Sequence, residues 1–234
     1  MSVSFTFDDR VAVVTGAAGA LGSAVAGAFS EAGASVAAVD LVAPDDEDAL
    51  IDESAYDSFH EADLTDERQV EETVAAVVEE HGRIDHLTNV AGTWQGGQPI
   101  HETDLQEFEF LFEVNLTSAF LTSKHALPHL QDSEGTIVSI SARSSLEGGE
   151  GDGPYRASKA GIRILTETMA EENLGTVRAN CVMPSVLDTP MNREMMTPSD
   201  DWVDPSEVAR TILVLSSDAT PVTSGAAVPV YGDA

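Results

Sequence analysis

Apolar residues in this chain fall into short unbroken runs that alternate with longer stretches in which they recur three and four residues apart. Unbroken runs suit strands buried on both faces, and the wider spacing suits amphipathic helices. A strand is predicted over 11–15, then a helix over 21–32 stopped by Gly33. A second apolar run over 35–39 ends in Asp40, an acidic loop follows, and a third strand is placed at 56–60. Thr65 or Asp66 caps a helix that reaches His81, where Gly82 ends it. Strand four covers 84–89. A helical region starts at Thr103 or Asp104 and continues to Leu130, with a break near Asn115. Strand five covers 135–141, a long helix 154–173 with Gly175 behind it, and strand six 177–183. Pro205 opens a helix over 206–215, and the last strand covers 226–230.

Strands alternating with helices imply right-handed βαβ units. The expected fold is α/β, a doubly wound parallel sheet of about seven strands, in a single domain over 1–234. The sequence carries no internal repeat and no low-complexity linker.

Composition adds the solvent and the partners. The chain is 42% hydrophobic, enough for a substantial core, yet no apolar run approaches the roughly 20 residues of a membrane span. Residues 1–10 lack the basic and then apolar order of a secretory signal. A single cysteine, Cys181, excludes an internal disulfide framework and a multi-cysteine metal site. His125 and His129 are four apart with Pro128 between them and no glutamate after His125, so they read as a helix end rather than metal ligands. The expectation is a soluble cytoplasmic protein with a small-molecule substrate, no metal and no membrane partner.

Eleven basic residues stand against 41 acidic ones, a formal charge of −30. Nucleic acid is a poor partner for such a surface. Binding to a basic protein would call for a block of like charge, but beyond the cluster at 45–48 the acidity is spread along the chain. Lysine is almost removed, with Lys124 and Lys159 alone remaining. This composition resembles that of proteins from extreme halophiles, in which molar salt shortens the Debye length to about 3 Å and relieves self-repulsion.

Candidate chemistry begins at the glycine-rich turn after the first strand, Thr15-Gly16-Ala17-Ala18-Gly19-Ala20-Leu21-Gly22. It reads either as a tight strand-to-helix turn or as a cradle that lets backbone N–H groups approach a pyrophosphate. Asp40 ends strand two, 24 residues after Gly16. It reads either as a solvated loop carboxylate or as the acceptor for both hydroxyls of an adenosine ribose. No Arg or Lys stands close by to neutralise a 2′-phosphate, so a bound dinucleotide would be NAD rather than NADP. Further on, Tyr155 and Lys159 lie at i and i+4 on one helix face. An ammonium beside a phenol favours phenolate and suits proton exchange with a substrate.

The ordered set of these pieces resembles the short-chain dehydrogenase/reductase family over essentially the whole chain. The matching residues are Thr15-Gly16 to Gly22, Asp40, Asp63-Leu64, Asn89-Val90-Ala91-Gly92, Asn115, Tyr155 with Lys159, and Asn180 to Pro184 with Thr189. The resemblance implies a Rossmann-type fold and an NAD-dependent oxidoreductase. It implies that Gly16, Leu21 and Gly22 line the pyrophosphate, that Asp63 with Leu64 faces adenine, and that Asn89, Ala91 and Gly92 pack under the nucleotide. Tyr155 would be the acid/base, Lys159 would hold the nicotinamide ribose and tune Tyr155, and Asn115 would hold a water of the proton relay. Pro184, Leu187 and Thr189 would flank the nicotinamide amide. A homo-oligomer, tetramer or dimer, is also implied, with the helices ending near Leu130 and Asn173 packed across an interface.

Three departures stand out. Ala20 replaces the family's second glycine in the turn, with Gly19 one position early, and Ser185 replaces the glycine after Pro184. The third is chemical: Ala142 occupies the position 13 residues before Tyr155 where the family carries a substrate-binding serine, with Ser141 and Ser144 as possible substitutes. Together with the run from Leu187 to Arg193, Ala142 is similar to the dihydropteridine reductase branch, whose substrate is a pterin reduced by NADH. The alternatives to a carbonyl/alcohol enzyme are thus a pterin reductase and a non-catalytic NAD-binding sensor. Trp94 and Trp202 are candidates to line a substrate pocket. Met191, Met195 and Met196 fall in a short lid segment, so the pocket is expected to be open or completed by another subunit.

Overall fold

The computed structural model describes residues 5–232. Seven parallel strands form one sheet in the order β3-β2-β1-β4-β5-β6-β7. They are β1 (Val11–Thr15), β2 (Ser35–Asp40), β3 (Ser58–Glu61), β4 (His86–Asn89), β5 (Thr136–Ile140), β6 (Arg178–Pro184) and β7 (Ala227–Val230). The helices are α1 (Ala20–Glu31), α2 (Glu67–His81), α3 (Leu105–Phe112), α4 (Ser118–Ser133), α5 (Gly153–Glu172), α6 (Pro190–Met195) and α7 (Pro205–Ser216). This is the doubly wound α/β sheet expected from the alternating pattern.

Buried strands divide their side chains between two cores. On one face Val14, Val36, Val138 and Val182 pack with Val25 and Phe29 of α1 and Ile212 of α7. On the other, Val13, Ala37, Leu87 and Ile137 pack with Val70 and Val77 of α2, Leu130 of α4 and Met169 of α5. The chain winds outward through β1, β2 and β3, then crosses to β4 and winds the other way. The connections leaving β1 and β4 therefore part on opposite faces, opening a crevice at the carboxyl ends of these strands.

Boundaries differ from the sequence reading where a side chain diverts the backbone. β3 starts at Ser58 rather than at residue 56 because Asp57 turns toward β2, where its carboxylate accepts from Val36 N at 2.8 Å. β4 starts at His86 rather than at residue 84 because Asp85 is a clamp. Its carboxylate, 1% exposed, accepts from Arg10 Nη1 at 2.8 Å, Arg83 Nε at 2.7 Å and Val11 N at 3.0 Å. α4 runs through Pro128 to Ser133, so His125 and His129 sit inside the helix rather than at its end. His125 lies 3.3 Å from Glu67 of α2, which also pairs with Lys124. The predicted break near Asn115 is a five-residue π turn over Glu113–Thr117, between α3 and α4. The six-residue α6 was not foreseen, although Thr189-Pro190 is a capping pair and the Thr189 hydroxyl accepts from Asn192 N. Asp66 caps α2 through Arg68 N and Gln69 N, as read from the sequence. Among the described residues no helix is long and apolar enough to cross a membrane.

Burial works to raise the Asp85 pKa, but hydrogen bonds from Arg83, Arg10 and Val11 outweigh it and hold the carboxyl below its usual value. A depressed folded-state pKa adds stability above the unfolded pKa near 4, and that stability is lost as the pH falls through the folded value. Asp85→Asn should therefore lower the urea midpoint at pH 7 by the equivalent of about 2–4 kcal/mol. The gap to wild type should shrink below about pH 4; equal midpoints at pH 7 would show that the clamp is not stabilising.

Candidate active site

The turn after β1 is built by contact with the turn after β4. Gly16 has φ +64°, and a methyl group on it would stand 2.8 Å from Ala91 Cα and N. Only glycine meets both demands. The Thr15 hydroxyl clips the turns together by accepting from Val90 N at 3.0 Å and Ala91 N at 3.2 Å. α1 then begins with Gly19 as N-cap and no side chain capping it. Its first turn holds no acidic residue although the chain has 41. Ala20 occupies the first helical position, with Leu21 and Gly22 buried behind it. The helix N-terminus is thus left open to an anion.

Asp40 stands at the carboxyl end of β2. Its Oδ2 accepts from Ala18 N at 2.8 Å and Oδ1 from Val42 N at 3.0 Å. Each oxygen retains a lone pair for a further donor. Asp63 lies just beyond β3 and accepts from Thr65 N at 2.9 Å and Thr65 Oγ1 at 2.7 Å, while Leu64 turns into the core under α2. Asn89 is consumed inside the protein: it donates to Ser123 Oγ at 3.0 Å and Ser139 Oγ at 3.2 Å and accepts from Thr122 at 2.6 Å. It ties β4 to α4 and β5 and so supports the Ala91–Gly92 turn from below.

Lys159 of α5 is 5% exposed, and its ammonium donates to the Ile140 carbonyl at 3.1 Å. Gly92 lies against this group, for a methyl there would stand 2.7 Å from Asn115 Oδ1 and 3.0 Å from Lys159 Nζ. Burial pulls the Lys159 pKa down to about 8. Asn115 sits in the π turn, wholly buried, accepting from Thr93 N at 2.8 Å and donating to Ser158 Oγ at 3.1 Å. Its amide is therefore committed at both ends, joining the β4 turn to α5. π turns of this kind recur at functional sites. Tyr155 lies one turn before Lys159 in the first half of α5. Burial pushes its phenol up to about 12; Asp152 adds to the rise and Arg156 draws it back.

The buried Ser141 hydroxyl is used inside the protein, donating to the Lys159 carbonyl at 2.8 Å and accepting from Ser145 Oγ at 3.1 Å. It is not placed to replace the missing serine. Ala142 precedes a short 3₁₀ turn over Arg143–Leu146, in which Ser144 is half-buried. After β6, Pro184 is buried, and the Ser185 hydroxyl is buried with no hydrogen bond among the described residues. Leu187 is half-buried and its carbonyl accepts from Asn192 Nδ2 at 2.8 Å, while Thr189 caps α6. Trp94 is 43% exposed beside the Gly92 turn, and Met191, Met195 and Met196 are exposed on and after α6. Trp202 is half-buried.

A family model described as short chain dehydrogenase matches residues 10–200. The chain belongs to this family of oxidoreductases. It is 34% identical over 240 residues to the cis-4-hydroxycyclohexanecarboxylate dehydrogenase of Sinomonas cyclohexanicum, covering 97% of this chain and 96% of that one. The meso-2,3-butanediol dehydrogenase of Serratia marcescens is also 34% identical, over 241 residues, covering 97% and 95% of the two chains. Among solved structures, a short-chain glucose/ribitol dehydrogenase from Brucella melitensis superposes with a TM-score of 0.88 at 29% identity, over 97% of each chain.

A lysine whose pKa falls on folding weakens the fold while both states are protonated. That cost is full below about pH 8 and disappears above the unfolded value of 10.5. Lys159→Met should raise the unfolding midpoint at pH 7 by the equivalent of about 2 kcal/mol. The gain should fade as the pH climbs from 8 to 10.5. A less stable variant at pH 7 would contradict burial as the cause of the lowered Lys159 pKa.

Proposed function

We propose that this protein is an NAD(H)-dependent oxidoreductase that interconverts a small secondary alcohol and its ketone, with Tyr155 as acid/base. The observation that carries the reading is the buried Lys159 ammonium, which rests on the Ile140 carbonyl against Gly92 and one helical turn from Tyr155. The residues fit a dinucleotide: Gly16 and the open N-terminus of α1 leave main-chain room for a pyrophosphate, with Leu21 and Gly22 behind them. The remaining lone pairs of Asp40 accept ribose hydroxyls and repel a 2′-phosphate, which favours NAD over NADP. Asp63 and the main chain of Leu64 border the adenine, and Pro184, Leu187 and Thr189 border the nicotinamide.

The cofactor supplies hydride transfer when bound. Tyr155 takes the hydroxyl proton of an alcohol, or returns it to a ketone oxygen. Lys159 holds the nicotinamide ribose and stabilises phenolate once the reactants are assembled. Asn115 holds Thr93 and Ser158 in register, and its π turn offers main-chain groups for a relay water. Both relatives named above are dehydrogenases whose names describe hydroxylated carbon compounds, which supports the alcohol class. Ala142 favours one second reading, a pterin reductase whose substrate carries no carbonyl in need of a serine. Tyr155→Phe should reduce kcat at least a thousandfold while NADH still binds, since general acid–base catalysis contributes about 10²–10⁴-fold and here one group carries the proton. Retained turnover would remove the assignment.

The same reading extends to setting. We take the protein to be cytoplasmic, salt-adapted and a homo-oligomer of dimer or tetramer type. Exposed Phe110, Phe120 and Ile164 on α3, α4 and α5 support a contact with a second copy through these helices. Light scattering in molar KCl should return a multiple of the chain mass, and a monomer would remove the idea. Far-ultraviolet circular dichroism should show structure lost as KCl is diluted, because the net charge of −30 is then unscreened. Full retention in dilute buffer would contradict salt adaptation.

A further inference from the structure

In a chain where carboxylates are the default surface, the start of α5 is flanked by exposed apolar side chains instead. The loop after β4 is anchored at two places along this helix. At Gly92 it lies against the Lys159 ammonium and Asn115. At Gly96 a methyl group would stand 2.7 Å from the Gly151 carbonyl, 3.4 Å from Asp152 Cα and 3.3 Å from Trp94 Cζ2. Gly97 N donates to the same Gly151 carbonyl at 2.5 Å. Trp94 is midway between the two anchors, and two residues of chain reach at most about 7 Å from either. Tyr155 lies between Asp152 and Lys159 on the helix, so the indole, 43% exposed, is held beside the stretch of α5 that carries Tyr155.

Two more exposed apolar side chains are fastened to this end of α5. A methyl group on Gly153 would stand 2.6 Å from Ile100 Cδ1. Leu146 sits in the turn after β5, which Arg156 ties to the helix through the Ser144 carbonyl at 3.4 Å and the Glu147 carbonyl at 3.1 Å. Net charge is withheld from the same region. Residues 87–100 carry no charged side chain. Asp152 and Arg156, both largely buried, neutralise each other at 2.6 Å, and Arg143 stands over the Tyr231 ring at 4.9 Å. A carboxylate brought here would trade water for an indole face and a closed ion pair, at a cost. An apolar skeleton would instead release water from the indole. We propose that Trp94 is a specificity-determining residue, and that the substrate is an uncharged secondary alcohol or its ketone with an apolar carbon skeleton that stacks on the indole. The proposal rests on Tyr155 being the acid/base. Gly96 holds the ring in place, because any side chain there would collide with the Gly151 carbonyl and displace it.

The test compares matched alcohols with NAD⁺ in molar KCl. One pair is 4-methyl-2-pentanol against 3-hydroxybutyrate, in which a carboxylate replaces the isopropyl group; the other is cyclohexanol against cyclohexane-1,4-diol. The apolar member of each pair should be favoured at least tenfold in kcat/KM. Trp94→Ala should raise KM for the apolar alcohols about tenfold with a smaller change in kcat, and Trp94→Phe should restore most of the loss. A loop that served the fold alone would lower all the rates alike and leave the preference intact. Binding is read without turnover in Tyr155→Phe, Trp202→Phe protein holding NAD⁺, in which Trp94 is the sole tryptophan. There 4-methyl-2-pentanol should shift the emission saturably to the blue, and 3-hydroxybutyrate should not. Preference for the hydroxy acid or the diol, an unchanged ratio in Trp94→Ala, or an emission indifferent to the alcohol overturns the proposal. Should none of the alcohols turn over, the emission still decides. Failure of the acid/base assignment would appear separately, as turnover surviving Tyr155→Phe.

Discussion

The constraint on which the site depends is the contact of two strand-end turns at the place where the sheet reverses its winding. Gly16 and Ala91 meet main chain to main chain, and no side chain larger than hydrogen fits at Gly16. The Thr15 hydroxyl holds them together from inside. Because the chain leaves β1 and β4 on opposite faces, this contact forms the floor of a crevice rather than a closed core. α1 begins on one side of it, and on the other Gly92 lies against the buried Asn115 and Lys159 side chains. Asn89 and Asp85 then fix the two ends of β4, one through hydroxyls of α4 and β5 and the other through two arginines.

Electrostatics sharpen the same geometry. In a chain of net charge −30, carboxylates are the default surface, yet the first turn of α1 has none. Lys159 is drawn down in pKa by burial, with no carboxylate among the causes. Both features weaken the fold by themselves, and the proposed anion-binding and proton-transfer chemistry would account for them.

The strands and long helices were legible because period and punctuation agreed: Asp66, Gly82, Gly175 and Pro205 mark ends that the structure keeps. The break at Asn115 was also visible, though its form as a π turn was not. What stayed hidden was the use of individual polar side chains. Asp85 and Asp57 shift strand starts, but one aspartate among 41 acids carries no signal until its partner is seen. Ser141 could stand in for the missing serine only if it faced the crevice, and a one-residue register decides that face. Asp152 and Arg156 stand four apart in the sequence, but their burial and the loop carbonyls that Arg156 fastens are visible only in the structure.

The most direct test of the account is hydride transfer itself, followed as NADH absorbance in molar KCl. NAD⁺ would be offered with a panel of secondary alcohols, and NADH with their ketones and a quinonoid dihydropterin. The account predicts NAD⁺-dependent oxidation of at least one alcohol, with NADP⁺ at least tenfold poorer. Binding of NADH without turnover of any alcohol, ketone or pterin would contradict it.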